Sequence, residues 1–384
     1  MKFRRIDDLP PYVFATVDQL KRELRREGRD VIDLGFGNPD IPSPAVAVEK
    51  LREAALKPAN HRYSASRGIE QLRRAVTEHY ARRFGVELDP ETQVASTIGA
   101  KEGLAHLMWV LVEHGDTVVV PTPAYPIHRV APRLAGATLV TPPAEGGVDA
   151  IEAAVRASRP RVVIVSFPHN PTTAVATAED MQRLVDLARE HEFLLVHDFA
   201  YADVAFDGHR PPSALAAAGA ETCAVELYSL TKSFSMAGWR VGFVLGRADV
   251  VGALAKLKSY LDYGTFQPIQ IAATVTLREA QDYPAEVCEI YLGRRNALCD
   301  GLVRAGWPVE RPRGTMFVWA PVPERFRELG SLEVALRLAR DAGVAVSPGI
   351  GFGDGGDGHV RFALVENEQR IGQATRAIKR LLDA

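Results

Sequence analysis

The sequence predicts an α/β protein of two units, on three observations. Its 384 residues exceed the size at which one hydrophobic core stops growing. From about residue 51 to residue 280, short and continuously apolar stretches alternate with amphipathic ones, the pattern of a mostly parallel sheet covered by helices on both faces. Beyond "DYPAEVCEIYLGRRNALCDGLVRAG", read as one long helix, a few strands stand among helices, as in a smaller α+β unit.

Taken in order, a prolyl pair at Pro10 and Pro11 precedes a helix from about Val17 to Glu27, stopped by Gly28. In "RGIEQLRRAVTEHYARRFG", Ile69, Leu72, Val76 and Tyr80 recur at helical spacing, and Gly85 ends the run. "KEGLAHLMWVLVEHG" reads as helix, "DTVVVP" as strand, "PIHRVAPRLAG" as helix, "ATLVT" as strand, "IEAAVRAS" as helix and "RVVIVSFP" as strand. "AEDMQRLVDLAREHE" follows as helix, then "FLLVHD", "CAVELYSL" and "RVGFVLG" as strands. In the last part, strands are expected at Met316–Ala320, Val344–Val346 and Val360–Ala363, with helices near Ser331–Ala342 and Glu368–Leu382. The expected division is 1–46 for an N-terminal arm that completes the small unit, 47–283 for the large unit and 284–384 for the C-terminal unit.

Composition excludes several classes. Hydrophobic residues make up 47% and charged residues 24%, ordinary for a globular chain, and the net charge of -2 favours neither nucleic acid nor an anionic membrane as partner. Cys223, Cys288 and Cys299 are odd in number and widely spaced, with no zinc-type pattern, so no metal is expected and the compartment is a reducing one. No apolar run spans a bilayer and "MKFRRIDDLPPYVF" lacks a signal-peptide core, so the expected location is cytoplasmic.

Ligands of open parallel sheets bind beyond the carboxyl ends of strands, and polar residues gather at such ends here. Asn170 follows one strand in "VSFPHNPTT"; Asp198 ends another in "LLVHDFAYAD", with Tyr201 three residues on; Ser229 and Lys232 close "ELYSLTKS". Gly99, Ala100 and Lys101 open a helix, whose free N–H groups and positive dipole end suit a phosphate. A lysine that forms a Schiff base needs a pocket in which it can lose its proton. Pyridoxal phosphate would use Lys232 in that way, Asp198 at its pyridine nitrogen, and Asn170 and Tyr201 at its phenolic oxygen. Gly99, Ala100, Ser229 and Arg240 could hold its phosphate, and Tyr125 could stack on its ring.

"FPHNPTT", "HDFAYAD", "SLTKSFSMAGWRVG" and "HVRFAL", in this order, resemble the class I/II aminotransferases, pyridoxal-phosphate enzymes of fold type I. "YSASRGI", "TIGAKEGLAHL" and "KSYLDYGTFQPIQIAA" are most similar to the bacterial glutamate-pyruvate (alanine) aminotransferases. The resemblance implies a seven-stranded, mostly parallel sheet between helices, a smaller α+β domain, and a homodimer with shared active sites. It implies amino-acid and 2-oxo-acid substrates exchanged by a ping-pong mechanism. By position, Lys232 is the Schiff-base lysine and proton carrier, with Asp198 and Tyr201 in the catalytic set. Ala100, Lys101, Ser229 and Arg240 fall at phosphate-binding places, and Tyr63 would reach the partner's phosphate. Arg361 would clasp the substrate α-carboxylate, with Asn170 and Gly37 beside it. No residue matches the second arginine with which aspartate aminotransferases hold a side-chain carboxylate, which favours a small apolar donor such as alanine. Methionine, branched-chain or aromatic donors, or a carbon-sulfur β-lyase on the same fold, are the alternatives.

"GIGFGDGGDG", Gly349–Gly358, imitates a dinucleotide fingerprint and part of a calcium loop. It lacks the strand-to-helix step of the first and the ligand ladder of the second, and reads as a flexible turn.

Overall fold

The computed structural model describes residues 1–7, 9 and 12–384; the prolyl pair lies outside the described residues. The first strand, β1 (Ile32–Asp33), belongs to the smaller unit. Then come β2 (Val94–Thr97), β3 (Thr117–Val119), β4 (Thr138–Val140), β5 (Val162–Val165), β6 (Leu194–Asp198), β7 (Ala224–Ser229) and β8 (Gly242–Gly246). These seven form one sheet in the order β2-β8-β7-β6-β5-β3-β4. The pairs among β3 to β7 are parallel, and β8 runs antiparallel to both β7 and β2. Two reversals restore the direction, so β2 points the same way as β7. The carboxyl ends of β2, β5, β6 and β7 therefore share one rim with the start of β8.

The apolar strands are covered twice, as their sequences require. Val162, Ile164, Leu194, Val196, Val225 and Leu227 turn to one core, while Val163, Val165, Leu195 and Ala224 turn to another. This is the two-residue alternation of a strand with a helix layer on each face. The strand β2 was not expected from the sequence. Half of "VAST" is small and polar, and its strand geometry comes from pairing with β8.

The smaller unit holds β9 (Phe317–Pro321), β10 (Val344–Ala345), β11 (Ser347–Pro348) and β12 (His359–Ala363). The strand expected over Val344–Val346 is β10, which pairs in parallel with β1; β11, just beyond it, was not expected and pairs antiparallel with β12. Val17, Leu24, Ile32 and Leu34 from the first part of the chain share a core with Trp307, Val318, Ile371 and Ile378. The helix expected from Val17 runs from Phe14 to Arg26, and the long helix spans Tyr283–Arg304. No helix of the described residues is long and apolar enough to cross a membrane.

A buried carboxylate ties the two strands that carry Asp198 and Ser229. Glu226 of β7, fully buried, accepts from Tyr80 Oη at 2.8 Å, Ser213 Oγ at 2.9 Å and the Ala214 N–H at 2.8 Å. His197 Nδ1 of β6 lies 2.8 Å from Oε2, the oxygen that also accepts the Ala214 N–H. Removing the carboxylate would take the shared partner from all four groups. Glu226→Ala is expected to lower stability by about 3 kcal/mol, read as an earlier midpoint in urea unfolding, whereas a midpoint unchanged from the parent protein would refute this account.

Candidate active site

The rim is built first at Gly99, which turns the chain from β2 into the helix Ala100–Leu111 with φ at +80°. A side chain there would strain the backbone and collide with the Arg240 guanidinium. Gly242, at the start of β8, lets that strand pass close to the Ala100 nitrogen, where a Cβ would come within 2.6 Å. Arg240 reaches across with bonds to the carbonyls of Ala237 at 3.1 Å and Ile98 at 3.4 Å. Ser229 Oγ, at the end of β7, accepts the Thr231 N–H at 3.1 Å. Gly99, Ala100, Ser229 and Arg240 thus meet at one corner, where the first N–H groups of the helix have no acceptor within it. Lys101 lies at the same turn, but its side chain is exposed and its Nζ stands 5.1 Å from the Tyr125 ring centre.

Asp198, at the end of β6, is buried. Its Oδ2 lies 2.7 Å from His128 Nε2, and its Oδ1 accepts the Ala200 N–H at 3.2 Å. The His128 ring packs edge-on against Tyr125 at 5.8 Å. His169 lies behind them, bonded to Thr172 Oγ1 at 2.7 Å, and burial drives its pKa down to about 3, so it is neutral. His128 was not singled out from the sequence, although it stands in "PTPAYPIH". Its partner is 70 residues away, and only the fold reveals the pairing.

Lys232, in the short helical turn after β7, donates from Nζ to the Gly37 carbonyl at 2.7 Å. The residue as a whole is half-buried, yet protein surrounds the amine. Burial first, then the charges of Arg361 and Arg240, lower its pKa from 10.5 to about 7. Arg361 comes from β12 and is buried between aromatic rings, 3.8 Å from the centre of Phe317 and 4.7 Å from that of Phe352. Its Nη1 donates to Asn170 Oδ1 at 2.6 Å, and its Nη2 to the Gly35 carbonyl at 3.2 Å and Ser347 Oγ at 3.3 Å. Its Nε is buried without a partner. Burial lowers its pKa to about 10, which leaves it charged at neutral pH. Tyr201 is buried next to Phe317, and burial raises its pKa, so its hydroxyl keeps its proton.

Tyr63 is not brought to this site. It is 87% exposed and lies against Tyr263 at 4.8 Å, in an open pocket with His61, Arg62 and Phe266. The glycine-rich segment also differs from the free turn expected. Gly349–Phe352 forms a helical turn, Phe352 is buried against Arg361, and Asp357 accepts the Ser331 N–H at 2.9 Å.

A mixed sheet of this order, with a partly desolvated lysine and a held carboxylate on its rim, is the architecture of the fold type I pyridoxal-phosphate enzymes. The chain belongs to the aminotransferases of class I and II, whose family description matches residues 29–378. It is 50% identical to the glutamate-pyruvate aminotransferase AlaC of Escherichia coli (strain K12), covering 100% of this chain and 94% of that one. It is 44% identical to the LL-diaminopimelate aminotransferase of Desulforudis audaxviator, covering 98% and 96%. Its fold matches a solved Thermus thermophilus aspartate aminotransferase mutant with a TM-score of 0.92, at 28% identity and 99% coverage of both chains. It is a pyridoxal-phosphate-dependent transaminase acting on amino acids and 2-oxo acids.

The residues fit that cofactor: an amine that loses its proton near neutral pH, a carboxylate oriented by an imidazole, a helix start cleared by glycine, and a buried guanidinium with an unused N–H. In cofactor-free protein, acylation of Lys232 is expected to rise with a midpoint near pH 7, followed by peptide mapping. Arg361 disfavours the ammonium, so Arg361→Met should move that midpoint upward. A parent midpoint close to the ordinary lysine value would refute both statements.

Proposed function

We propose that the enzyme passes an amino group from alanine to 2-oxoglutarate by a ping-pong cycle, as a homodimer in the cytoplasm, with residues 47–283 as cofactor-binding unit between the 1–46 arm and the 284–384 unit. The observation that supports the assignment of roles is that Asp198 and Lys232 follow neighbouring strands on one rim, with Arg361 of the other sheet near enough to bear on the Lys232 amine.

Pyridoxal phosphate supplies an aldehyde for the amine to condense with and an electron sink for the charge left at Cα. Lys232 holds it through Nζ. Gly99, Ala100, the Lys101 N–H, Ser229 and Arg240 hold its phosphate, and Tyr125 covers its ring. Asp198, oriented by His128, keeps the pyridine nitrogen protonated. Asn170 gives its Oδ1 to Arg361, which leaves Nδ2 free to donate to the phenolic oxygen, and Tyr201 donates there from a hydroxyl that stays protonated. Arg361 clasps the α-carboxylate beside Gly37. Once freed, the Lys232 Nζ would move the proton between the substrate Cα and the cofactor C4′, as an amine that burial inclines to the neutral form can do. Tyr63 completes the phosphate site of the partner subunit.

Alanine is supported by the 50% identity to a glutamate-pyruvate aminotransferase over the whole chain. LL-diaminopimelate is the second reading, favoured by relatives of that description at 38–44% identity. Lys232→Ala is expected to lose transamination by at least about a thousandfold. With the parent enzyme, cofactor bleaching by each amino acid in turn should be fastest with alanine; a faster response to LL-diaminopimelate would transfer the assignment. Pyruvate released from cystathionine without a 2-oxo acid would instead support the β-lyase.

A further inference from the structure

Beneath the corner that receives the phosphate lies a charged cluster with no part in the roles above. Glu102 stands in the first turn of the helix Ala100–Leu111, and its Oε2 accepts the Ile98 N–H at 2.9 Å, one residue before Gly99. This bond occupies a donor just outside the helix and fixes the turn, leaving the N–H groups of the helix start for an anion. The same carboxylate is a negative charge beside the place where a dianion must come. At low effective dielectric the two repel.

Lys258 counters that charge. It lies on the helix Ala248–Leu261 with its side chain 0% exposed. Its Nζ donates to Glu102 Oε1 at 2.9 Å and to both Asp262 oxygens at 3.1 Å. His106 Nδ1 also lies 2.7 Å from Glu102 Oε1. Glu102, His106 and Asp262 form a trio of metal-ligand type, and the ammonium stands among them. A wholly buried ammonium is expensive to desolvate, and an apolar side chain would fill such a position more cheaply for stability alone. With Lys258 one ammonium faces two carboxylates; without it both carboxylates are left uncompensated under the turn. Asp262 in turn holds the Gly264 N–H at 2.7 Å, which fixes the far side of the cluster.

We propose that Lys258 is a positioning residue for cofactor binding: its buried ammonium neutralises Glu102, so that Glu102 can fix the Ile98–Gly99 turn without repelling the phosphate the turn receives. This role rests on Gly99, Ala100, Ser229 and Arg240 being the phosphate site.

The experiment compares two aldehydes that differ only in the phosphate. Full-length protein freed of cofactor is titrated with pyridoxal phosphate and, separately, with pyridoxal, and bound aldehyde is read by absorbance. Lys258→Met is expected to weaken pyridoxal phosphate about tenfold while leaving pyridoxal within about twofold. Adding Glu102→Gln, which keeps an oxygen for the Ile98 N–H but removes the charge, should restore most of the lost affinity. Equal weakening of both aldehydes, or no rescue by Glu102→Gln, would assign Lys258 to packing alone and overturn the proposal. Should Lys258→Met not fold, Glu102→Gln by itself must bind pyridoxal phosphate at least as tightly as the parent, and weaker binding overturns the proposal. Arg240→Ala tests the underlying site. If it fails to separate the two aldehydes, the phosphate assignment falls; if it separates them while Lys258→Met does not, only the role of Lys258 falls.

Discussion

An amine enclosed by protein, with two guanidinium groups near it, cannot hold its proton as a solvated lysine does. Desolvation removes the water that would stabilise the ammonium, and the charges of Arg361 and Arg240 add repulsion, which brings Lys232 to a pKa of about 7. Both capacities proposed for this residue, attack on an aldehyde and transfer of a proton at neutral pH, would follow from that one displacement. The rest of the site can be understood as what keeps the amine in this environment. The Gly37 carbonyl orients it from the first part of the chain, and Arg361 supplies part of the repulsion from the last.

The two units are interdependent at this point. Arg361 belongs to the smaller unit, through β12, and Asn170 to the larger, after β5, and they share a hydrogen bond of 2.6 Å. Arg361 is held by carbonyl, amide and hydroxyl oxygens and by two aromatic faces, with no carboxylate among its bonded partners. A guanidinium fixed in position yet not neutralised is suited to an incoming carboxylate. The larger unit follows a different rule at Asp198 and Glu226, where each carboxylate is matched by an imidazole and further donors. The two carboxylates are thus paired within the chain, while the Arg361 guanidinium has no carboxylate among its bonded partners.

Much of this could be read along the chain. The alternation of apolar strands and amphipathic helices, the long helix Tyr283–Arg304 and the ends of most strands followed from local pattern. So did the positions of Lys232, Asp198, Asn170 and Arg240 at strand ends or turns. Other features had no local signal. "VAST" becomes a strand by pairing with β8, and Ser347–Pro348 becomes one by pairing with β12. The glycine-rich segment packs because Phe352 finds the Arg361 guanidinium.

What the sequence determined by itself was the class of the fold and the kinds of group at its rim, since both depend on repeats of two to four residues and on side-chain chemistry. What the tertiary structure alone decided was who faces whom. His128 meets Asp198 across 70 residues, Lys258 meets Glu102 across 156, and Arg361 meets Asn170 across 191. Such pairings are set by how layers pack and how far two charges can be drawn from water together, and neither quantity is written in any short window of the chain.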